Sequence, residues 1–352
     1  MQIDNAKLDA FMGKMVGEMG AAFNAALILI GDRLGLYKAM ANAGPLSSAQ
    51  LAAKTGTDER SVREWLSAQA AGGIVMYDAA AKTFTLPNEQ ALALAVTDSP
   101  AFLPGAFQIV ASVMHDVGKI EAAFRTGKGL GWHEHHHDLF EGTERFFRPN
   151  YLANLVSSWI PALAGVEAKL KSGGTVADVG CGLGASTIVM AKAFPNSKFF
   201  GFDYHEASIL AARKRAAAEG LEGRITFEVA PAKAFPKHDY DLVAMFDCLH
   251  DMGDPAGAAA HVRTTLGPGG TWMVVEPKAG DALEENLNPV GRLFYCASTT
   301  ICTPASKAQE VGLALGAQAG EARLAAIIKQ GGFSHVRRAS ETAFNLVLEA
   351  RV

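Results

Sequence analysis

The chain has 352 residues, of which 49% are hydrophobic and 19% are charged, with a formal net charge of −4 at pH 7. This composition predicts an ordinary globular protein of two domains, and its slightly acidic balance gives no basic surface for nucleic acid or an anionic membrane. The six-residue apolar run at 25–30 is far shorter than a membrane span, and the N-terminal residues lack a signal-peptide pattern. The four cysteines have no C-x-x-C spacing, which favours reduced thiols in the cytoplasm.

The first hundred residues have the pattern of a winged helix-turn-helix domain. Apolar residues at helical spacing predict a helix over 8–41, a short helix follows over 47–54, and a third covers 57–72. Residues 74–78 and 83–86 then predict a short hairpin. Three helices followed by a two-stranded wing are typical of this domain.

The charges of this domain argue against DNA binding. Residues 1–100 carry 8 Lys and Arg against 10 Asp and Glu, and the third helix begins with Asp58 and Glu59. A helix that enters the major groove should be basic, because phosphate contacts supply much of the affinity. We therefore expect a dimerisation or lid domain. The alternative, a transcriptional regulator that senses a ligand, is disfavoured by the same charges.

Apolar side chains along the first predicted helix exceed what a small winged helix can bury by itself. They are Phe11, Met12, Met15, Met19, Leu27, Leu29 and Ile30. Their number predicts a homodimer built mainly from residues 1–125.

A connecting segment is predicted over 126–170, between an amphipathic helix at 100–124 and the end of a helix at 148–171. Within it, residues 132–138 have the sequence Trp-His-Glu-His-His-His-Asp. Metal sites usually draw ligands from several elements, and tandem histidines cannot all face one ion, so we predict no metal here. The other interpretations are a ligand pocket lined by His136 and His137, and a solvated loop.

The most informative segment is Val-Ala-Asp-Val-Gly-Cys-Gly-Leu-Gly-Ala at 176–185. It predicts a buried strand Thr175–Val179, a tight glycine turn and a helix over 186–194. A second strand, Lys198–Asp203, ends in an acid. The glycines of the turn let the backbone approach a ligand at the carboxyl end of the first strand, and the Asp203 carboxylate is placed to accept hydrogen bonds from ribose hydroxyls.

The spacing of the glycines decides which nucleotide-like ligand fits this turn. The dinucleotide fingerprint is G-x-G-x-x-G, whereas this chain has G-x-G-x-G preceded by Asp178. A carboxylate at that place would repel a pyrophosphate but suits a cationic ligand without phosphate, such as S-adenosylmethionine. The glycines are not followed by Lys-Ser or Lys-Thr, which excludes a P-loop.

Strands and helices alternate through the second half of the chain. Further strands are predicted at 225–229, 240–246, 271–276, 335–339 and 345–350. With the two strands around the glycine turn, they predict a seven-stranded, doubly wound, Rossmann-like α/β sheet. Its last two strands form a hairpin in which one strand is antiparallel. We place this domain at 171–352.

The segment Asp-Val-Gly-Cys-Gly-Leu-Gly at 178–184, together with Asp203, resembles motifs I and II of the class I S-adenosylmethionine-dependent methyltransferases. The similarity extends over about 151–352. Winged helices of the kind predicted here precede the catalytic domain in many small-molecule O-methyltransferases, where they resemble a dimerisation module.

The resemblance implies that S-adenosylmethionine binds here and leaves as S-adenosylhomocysteine after methyl transfer to a small-molecule acceptor. The expected cofactor-binding residues share positions around the carboxyl ends of the strands and the segment before the first strand. They are Asp178, Gly180, Gly182, Gly184, Asp203, Tyr204, Pro231, Ala232, Phe246, Asp247, Phe147 and Tyr151. The acid that family members usually carry after the third strand, against the adenine amino group, is missing, so Pro231 and Ala232 are expected to hold adenine by backbone and apolar contacts.

The expected catalytic residues follow the fourth strand. His250 lies just past the strand end, and histidine is the commonest general base near neutral pH. Asp251 or Asp254 would orient it. The segment resembles the His-Asp-Trp motif of O-methyltransferases, in which the histidine is the base, although Met252 replaces the Trp here.

The insertion at 277–318 is expected to form a lid or a wall of the acceptor site. Tyr295 and Cys302 from this insertion, with His136 and His137, are the expected acceptor-binding residues. A nitrogen, sulfur or metalloid acceptor that needs no general base is the alternative to an oxygen acceptor. No residue pattern identifies the acceptor.

Overall fold

The computed structural model describes residues 2–352 and divides the chain into two compact units. The first unit runs to Ser112 and also contains Glu141–Pro149, whereas the second contains Val113–Phe140 and Asn150–Val352. The units therefore interleave along the chain. The domain limits at residues 125 and 170 stay predictions from the sequence.

The N-terminal elements have the order expected of a winged helix-turn-helix. They are α1 Asn5–Arg33, α2 Leu36–Met40, α3 Ser48–Thr55, α4 Glu59–Ala71, β1 Met76–Asp78, β2 Thr83–Thr85 and α5 Asn88–Leu94. The Ser47 hydroxyl and the Gln50 side chain cap the start of α3 reciprocally, and Gly56 ends it in the left-handed conformation with φ of 65°. β1 and β2 pair as the antiparallel wing.

The core of the first unit is built around two aromatic side chains. Tyr37 and Trp65 are buried edge to face, with ring centroids 5.0 Å apart, and the Tyr37 hydroxyl donates to Gln69 at 2.7 Å. Gly31 of α1 packs beneath both rings, because a Cβ there would lie 2.6 Å from each. α1 therefore joins this core through its last turns.

Most of α1 contributes little to that core. Its buried residues are Ile28, Leu29 and Gly31, while its exposed apolar side chains include Leu8, Phe11, Met12, Val16, Met19, Phe23 and Ile30. By length and composition alone, this 29-residue helix is apolar enough to cross a membrane. The whole helix therefore has the length and hydropathy of a membrane span, which the six-residue run at 25–30 alone does not.

The second half of the chain carries the large sheet. The strands are β3 Thr175–Val179, β4 Lys198–Asp203, β5 Ile225–Val229, β6 Tyr240–Phe246, β7 Leu266–Pro277, β8 His335–Glu341 and β9 Asn345–Arg351. The remaining helices are α6 Pro104–His115, α7 Val117–Thr126, α8 Asp138–Asn154, α9 Val166–Ser172, α10 Ala185–Ala193, α11 Glu206–Ala218, α12 Pro255–Thr265, α13 Pro289–Ala297, α14 Thr303–Lys307 and α15 Glu321–Gln330.

The strand order in the sheet is β5-β4-β3-β6-β7-β9-β8. β3 pairs in parallel with β4 and β6, and β9 runs antiparallel to both β7 and β8. The predicted doubly wound sheet with a terminal hairpin is therefore confirmed. Because β3 and β6 lie side by side, their carboxyl ends bring the glycine turn next to the segment that contains His250.

Three long predicted helices are broken. The helix expected over 8–41 is α1 and α2, separated by Gly35 in the left-handed conformation with φ of 69°. The helix expected at 100–124 is α6 and α7, separated at Asp116, whose backbone departs from helical geometry. The helix expected at 148–171 starts earlier, as α8, and continues as a π-helical turn Leu155–Trp159 before α9. That turn contains the fully buried Trp159, so side-chain packing overrides the regular period.

The insertion at 277–318 is largely helical. It contains a short 3-10 turn Leu283–Asn286, then α13, a π-helical turn Ser298–Cys302 and α14. The π-helical turn ends at Cys302, which is buried.

Candidate functional site

The glycine turn after β3 has free space beside one of its three glycines. Gly180, Gly182 and Gly184 have φ of 77°, 51° and 81°, which side chains rarely adopt. A Cβ at Gly180 would lie 2.8 Å from the Cys248 sulfur, and one at Gly184 would lie 2.7 Å from the Phe227 ring. A Cβ at Gly182 would meet nothing within 4 Å. Gly180 and Gly184 therefore serve packing, and Gly182 faces space that a ligand can use.

The Asp203 carboxylate is fixed at the end of β4 by two backbone groups. The Gly182 amide donates to one of its oxygens at 3.0 Å, and the His205 amide donates to the other at 2.8 Å. Burial raises the pKa of Asp203, and the same two hydrogen bonds oppose that shift. Tyr204, next in the chain, is exposed, and its ring meets the His133 ring edge to face.

The Asp178 carboxylate is fully buried, and one of its oxygens has no partner among the described residues. Oδ2 accepts hydrogen bonds from the hydroxyls of Ser186 and Thr187, each at 2.6 Å, whereas Oδ1 has none. Burial raises the pKa of Asp178 to about 6, and the Asp203 charge adds to that shift. A buried, half-satisfied carboxylate is costly unless a cation or donor completes it.

These features fit S-adenosylmethionine. The unpartnered Asp178 oxygen matches a cationic group, the Asp203 carboxylate matches ribose hydroxyls, and Gly182 leaves room beside the turn. After β5, Pro231 is exposed and Ala232 is half-buried, and the turn they start is closed by a hydrogen bond from the Ala234 amide to the Pro231 carbonyl.

Three aromatic side chains pack together at the end of β6. The Phe246 ring centroid lies 5.2 Å from that of Tyr151 and 6.5 Å from that of Trp159, and all three are buried. The structure thus brings the expected Tyr151 and Phe246 together. Phe147 belongs to the first unit, where its ring contacts Phe146.

Asp247 follows Phe246 with a strained backbone, at φ of 49°. Its Oδ1 accepts from the Asn345 amide at 2.9 Å, and its Oδ2 has no partner among the described residues. Burial, reinforced by the Glu276 charge, holds the pKa of Asp247 well above its usual range. This second half-satisfied carboxyl group lies one residue past β6.

His250 is buried on the 3-10 turn Leu249–Asp251, with a carboxylate at each ring nitrogen. Its Nδ1 hydrogen-bonds to Glu276 Oε2. Its Nε2 lies 3.1 Å from Asp251 Oδ1. The geometry of this contact is not that of a hydrogen bond, and Asp251 Oδ1 forms none with the other described residues. Burial alone would lower the pKa of His250, but the charges of Asp251 and Glu276 outweigh it and hold that pKa well above its ordinary value.

Glu276 is the residue of this candidate site that sequence reasoning missed. It is buried near the end of β7, and its second oxygen accepts from the Leu249 amide at 2.8 Å. The sequence feature that could have indicated Glu276 is its position, since it is an acid at the carboxyl end of the strand next to β6. Asp254, considered as the orienting acid, instead caps α12 by accepting from the Gly257 amide.

The expected acceptor-binding residues lie in two places. The Cys302 sulfur lies within 4.8 Å of ligand atoms of His250 and Asp251, and Tyr295 is half-buried on α13. His136 and His137 lie with Asp138 at the start of α8.

Two family models match parts of the chain. Residues 170–314 match the family model of a methyltransferase domain, and residues 22–96 match that of an Rv2258c-like winged HTH domain. Together the two ranges span more than half of the chain.

Curated relatives match about a third of the chain. The ubiquinone/menaquinone biosynthesis C-methyltransferase UbiE of Geobacter sulfurreducens is 31% identical over 107 residues, 30% of this chain and 42% of the relative. The 27-O-demethylrifamycin SV methyltransferase of Amycolatopsis mediterranei is 31% identical over 131 residues, 35% of this chain and 48% of the relative. The chain thus spans less than half the length of either relative.

Solved structures share the fold over almost the whole chain. Mitomycin 7-O-methyltransferase MmcR has a TM-score of 0.70 at 18% identity and covers 99% of this chain and 100% of its own. Human N-acetylserotonin methyltransferase, solved with S-adenosylmethionine, has a TM-score of 0.68 at 17% identity and covers 99% of this chain and 98% of its own. The chain therefore contains a methyltransferase domain preceded by a winged helix-turn-helix domain, and it has the fold of these solved methyltransferases.

Proposed function

We propose that this protein transfers a methyl group from S-adenosylmethionine to an oxygen of a small-molecule acceptor, with His250 as the general base. The observation that carries the proposal is the buried His250 imidazole, held through Nδ1 by Glu276 beside the carboxyl ends of β3 and β6. An imidazole fixed at one nitrogen can present the other to a bound hydroxyl. S-adenosylhomocysteine would be the second product.

The cofactor would lie across the carboxyl ends of β3, β4 and β6. Asp203 would accept from the ribose hydroxyls, and the unpartnered Asp178 oxygen would pair with the amino-acid ammonium group, directly or through water. Pro231 and Ala232 would contact adenine. The rest of the cofactor-binding site would be lined by Tyr204, Tyr151, Phe246 and Asp247. The cofactor supplies a methyl group on a sulfonium, which is already a good leaving group.

The protein's own task is therefore to position the acceptor and remove its proton. His250 Nε2 would take the proton from the acceptor hydroxyl. The Glu276 and Asp251 carboxylates would stabilise the resulting imidazolium, since they lie at its two nitrogens. Tyr295 and Cys302 would contact the acceptor, and His136 and His137 stay proposed acceptor contacts.

One observation favours a second acceptor class. The neighbouring carboxylates raise the pKa of His250 and so favour the protonated imidazole, which cannot accept a proton. A neutral amine, an ionised thiol or a metalloid needs no base, and such an acceptor is the second candidate. Mutation of His250 separates the two classes.

The exposed apolar residues of α1 support a homodimer formed through the first unit. The four unpaired thiols support a reducing compartment, and we place the protein in the cytoplasm. The acidic start of α4, at Asp58 and Glu59, gives no support to a nucleic-acid partner.

A screen with S-adenosylmethionine tritiated on its methyl group tests the proposed activity. Pools of small molecules carrying hydroxyl, amine and thiol groups would be incubated with the protein, and transfer of label to an extractable product would be counted. An incubation without protein serves as the blank, and Asp203→Ala should transfer less label when S-adenosylmethionine is limiting. A DNA-retardation assay with genomic fragments runs in parallel. Retarded DNA without any labelled product would contradict the enzyme and favour a ligand-sensing regulator.

A further inference from the structure

The structure assigns His136, His137 and Asp138 to a binding site for a divalent transition-metal ion. Their ligand atoms all lie within 4.8 Å of one another. His136 Nδ1 is 3.4 Å from Asp138 Oδ2, and His137 Nε2 is 4.0 Å from Asp138 Oδ1. Donors around a tetrahedral ion with bonds of about 2.0–2.2 Å are roughly 3.4 Å apart. Ion binding would need side-chain rotations that bring the donors together and that break the hydrogen bond from the Asp138 amide to His136 Nδ1, which is 3.3 Å long.

A third imidazole lies next to these residues. The His115 ring, at the end of α6, has its centroid 4.3 Å from that of His136, and the His136 and His137 rings are 4.0 Å apart. His115 comes from a separate helix, 21 positions earlier in the chain. The three proposed ligands all come from the tandem tract, and His115 adds a neighbouring imidazole from a separate helix, with its Nδ1 3.1 Å from Asp116 Oδ1.

The backbone of this site is held by a buried carboxylate. Asp116 Oδ2 accepts from the His136 amide at 2.7 Å and contacts His135 Nδ1 at 3.2 Å, while Oδ1 contacts Lys119 Nζ at 3.0 Å. The backbone that carries His136 and His137 is thus held in place before any ion binds. Metal sites commonly have such hydrogen bonds around their ligand residues, which orient the ligands.

The remaining tract histidines point elsewhere. His135 is buried against Asp116, and His133 lies against Tyr204. Only two of the four tract histidines need to face the ion, so the steric objection to tandem ligands does not apply to this pair. The division of the tract also provides matched control residues.

The donor set selects the class of ion. Two imidazoles and a carboxylate, with a third imidazole adjacent, suit Zn²⁺, Ni²⁺ or Cu²⁺, whereas Ca²⁺ and Mg²⁺ prefer oxygen donors throughout. His137 is 79% exposed, so the ion would keep an open position toward water.

This site shares His136 and His137 with the proposed acceptor contacts, takes no part in the proposed proton transfer, and lies close to the cofactor loop. Phe140, in the first turn of α8, stacks on His205 with ring centroids 4.5 Å apart, and His205 donates its amide to Asp203. The inference depends on the fold and the donor geometry, not on the proposed reaction.

Isothermal titration of Zn²⁺ into the metal-free, tag-free full chain tests the site. We expect about one ion per chain, and at least tenfold weaker binding in His137→Ala and in Asp138→Asn. His133→Ala is the matched control within the tract. Cys302→Ser is the control for the separate group formed by His250, Asp251 and Cys302. Both controls should bind as the unchanged protein does.

Three results would overturn the site. They are unchanged binding in His137→Ala and Asp138→Asn, an equal loss in His133→Ala, and equal affinity for the urea-unfolded chain, which would mean that the tract binds by composition alone. His137 is exposed, so His137→Ala should fold normally, and a thermal melt without metal verifies this. The titration contains no cofactor or acceptor, so its failure leaves the proposed methyl transfer unaffected.

Discussion

His250 and Glu276 are hydrogen-bonded through the imidazole Nδ1 and the carboxylate Oε2, although 26 positions separate them in the chain. The contact exists because β6 and β7 are parallel neighbours and both side chains lie at the carboxyl ends of these strands. Asp251 places a second carboxylate at Nε2. The imidazole is therefore flanked by two negative charges, which stabilise its protonated form.

Glu276→Gln should move the acidic limb of kcat/KM to lower pH. Loss of one negative charge disfavours the imidazolium, so the pKa of His250 falls toward its ordinary value. The pH profile of initial rates with the acceptor found in the screen measures this. Asp254→Asn, which changes a helix-capping acid, should leave the limb in place. An unmoved limb in Glu276→Gln would refute the pairing as the cause.

Cofactor affinity should fall as pH decreases from 7 to 5. Asp178 has a pKa of about 6 in the unliganded protein and must be ionised to pair with the ammonium group, so below pH 6 each unit costs up to about tenfold in affinity. Titration calorimetry of S-adenosylhomocysteine across this range measures the slope. Asp178→Asn should bind more weakly at pH 7 and depend less on pH. Asp203, whose pKa is also raised, remains in both proteins, so an equal slope in both would contradict the role of Asp178.

The raised pKa of Asp178 affects stability and cofactor affinity in opposite directions. As pH rises, the unliganded protein loses stability, whereas cofactor affinity increases. The contribution of Asp178 to the stability of the unliganded protein is fully present below pH 4 or so and is lost as pH rises through about 6, because the buried group must then carry a charge. A bound cation would offset that cost.

Local patterns were sufficient to predict the sheet. The bounds of β3, β4, β5 and β6 follow directly from apolar runs ended by Gly, Asp or Pro. β7 starts earlier than expected because Leu266 already pairs with Tyr240 across an irregular register. Such cross-strand pairing is not visible in a single segment.

Contacts distant in sequence could not be predicted. Glu276 gave no local sign that it would reach His250, and the helix break at Asp116 depends on the backbone of His136, 20 positions away. The π-helical turn that ends at Cys302 likewise has no periodic signature. Position at a strand end indicated the right region of the fold, whereas the partner of each side chain required the sheet order.

Asp203→Ala should weaken cofactor binding by about 1.5–3 kcal/mol, the usual loss for a charged hydrogen-bond acceptor. The carboxylate is held in place by the Gly182 and His205 amides and is poised for the ribose. Titration calorimetry measures the change, and Glu206→Gln, an acid three residues further on, is the matched control. Unchanged affinity in a folded Asp203→Ala protein would show that the ribose binds elsewhere.

The protein should be a dimer at micromolar concentration, and Phe23→Glu should shift it toward monomer. The Phe23 side chain is 80% exposed on α1 amid other exposed apolar residues, and a charge there would be buried unpaired in an interface. Light scattering after size-exclusion chromatography gives the mass. Leu287→Glu, at a residue 73% exposed in the second unit, should remain dimeric. A monomeric unchanged protein would defeat the prediction.

His250→Ala should lower turnover by roughly 10²–10⁴-fold while cofactor affinity stays nearly constant, if the acceptor is a hydroxyl that must lose its proton. The imidazole is buried at the strand ends and is the only ring held by both Glu276 and Asp251 among the described residues. Single-turnover rates and calorimetry separate the chemical step from binding. His238→Ala, whose ring stacks on Phe200, is the matched histidine control. With a neutral amine or an ionised thiol the loss should be small, because no proton must be removed before attack. Full activity of His250→Ala on a hydroxyl acceptor would remove the residue from the mechanism and leave positioning as the protein's whole contribution.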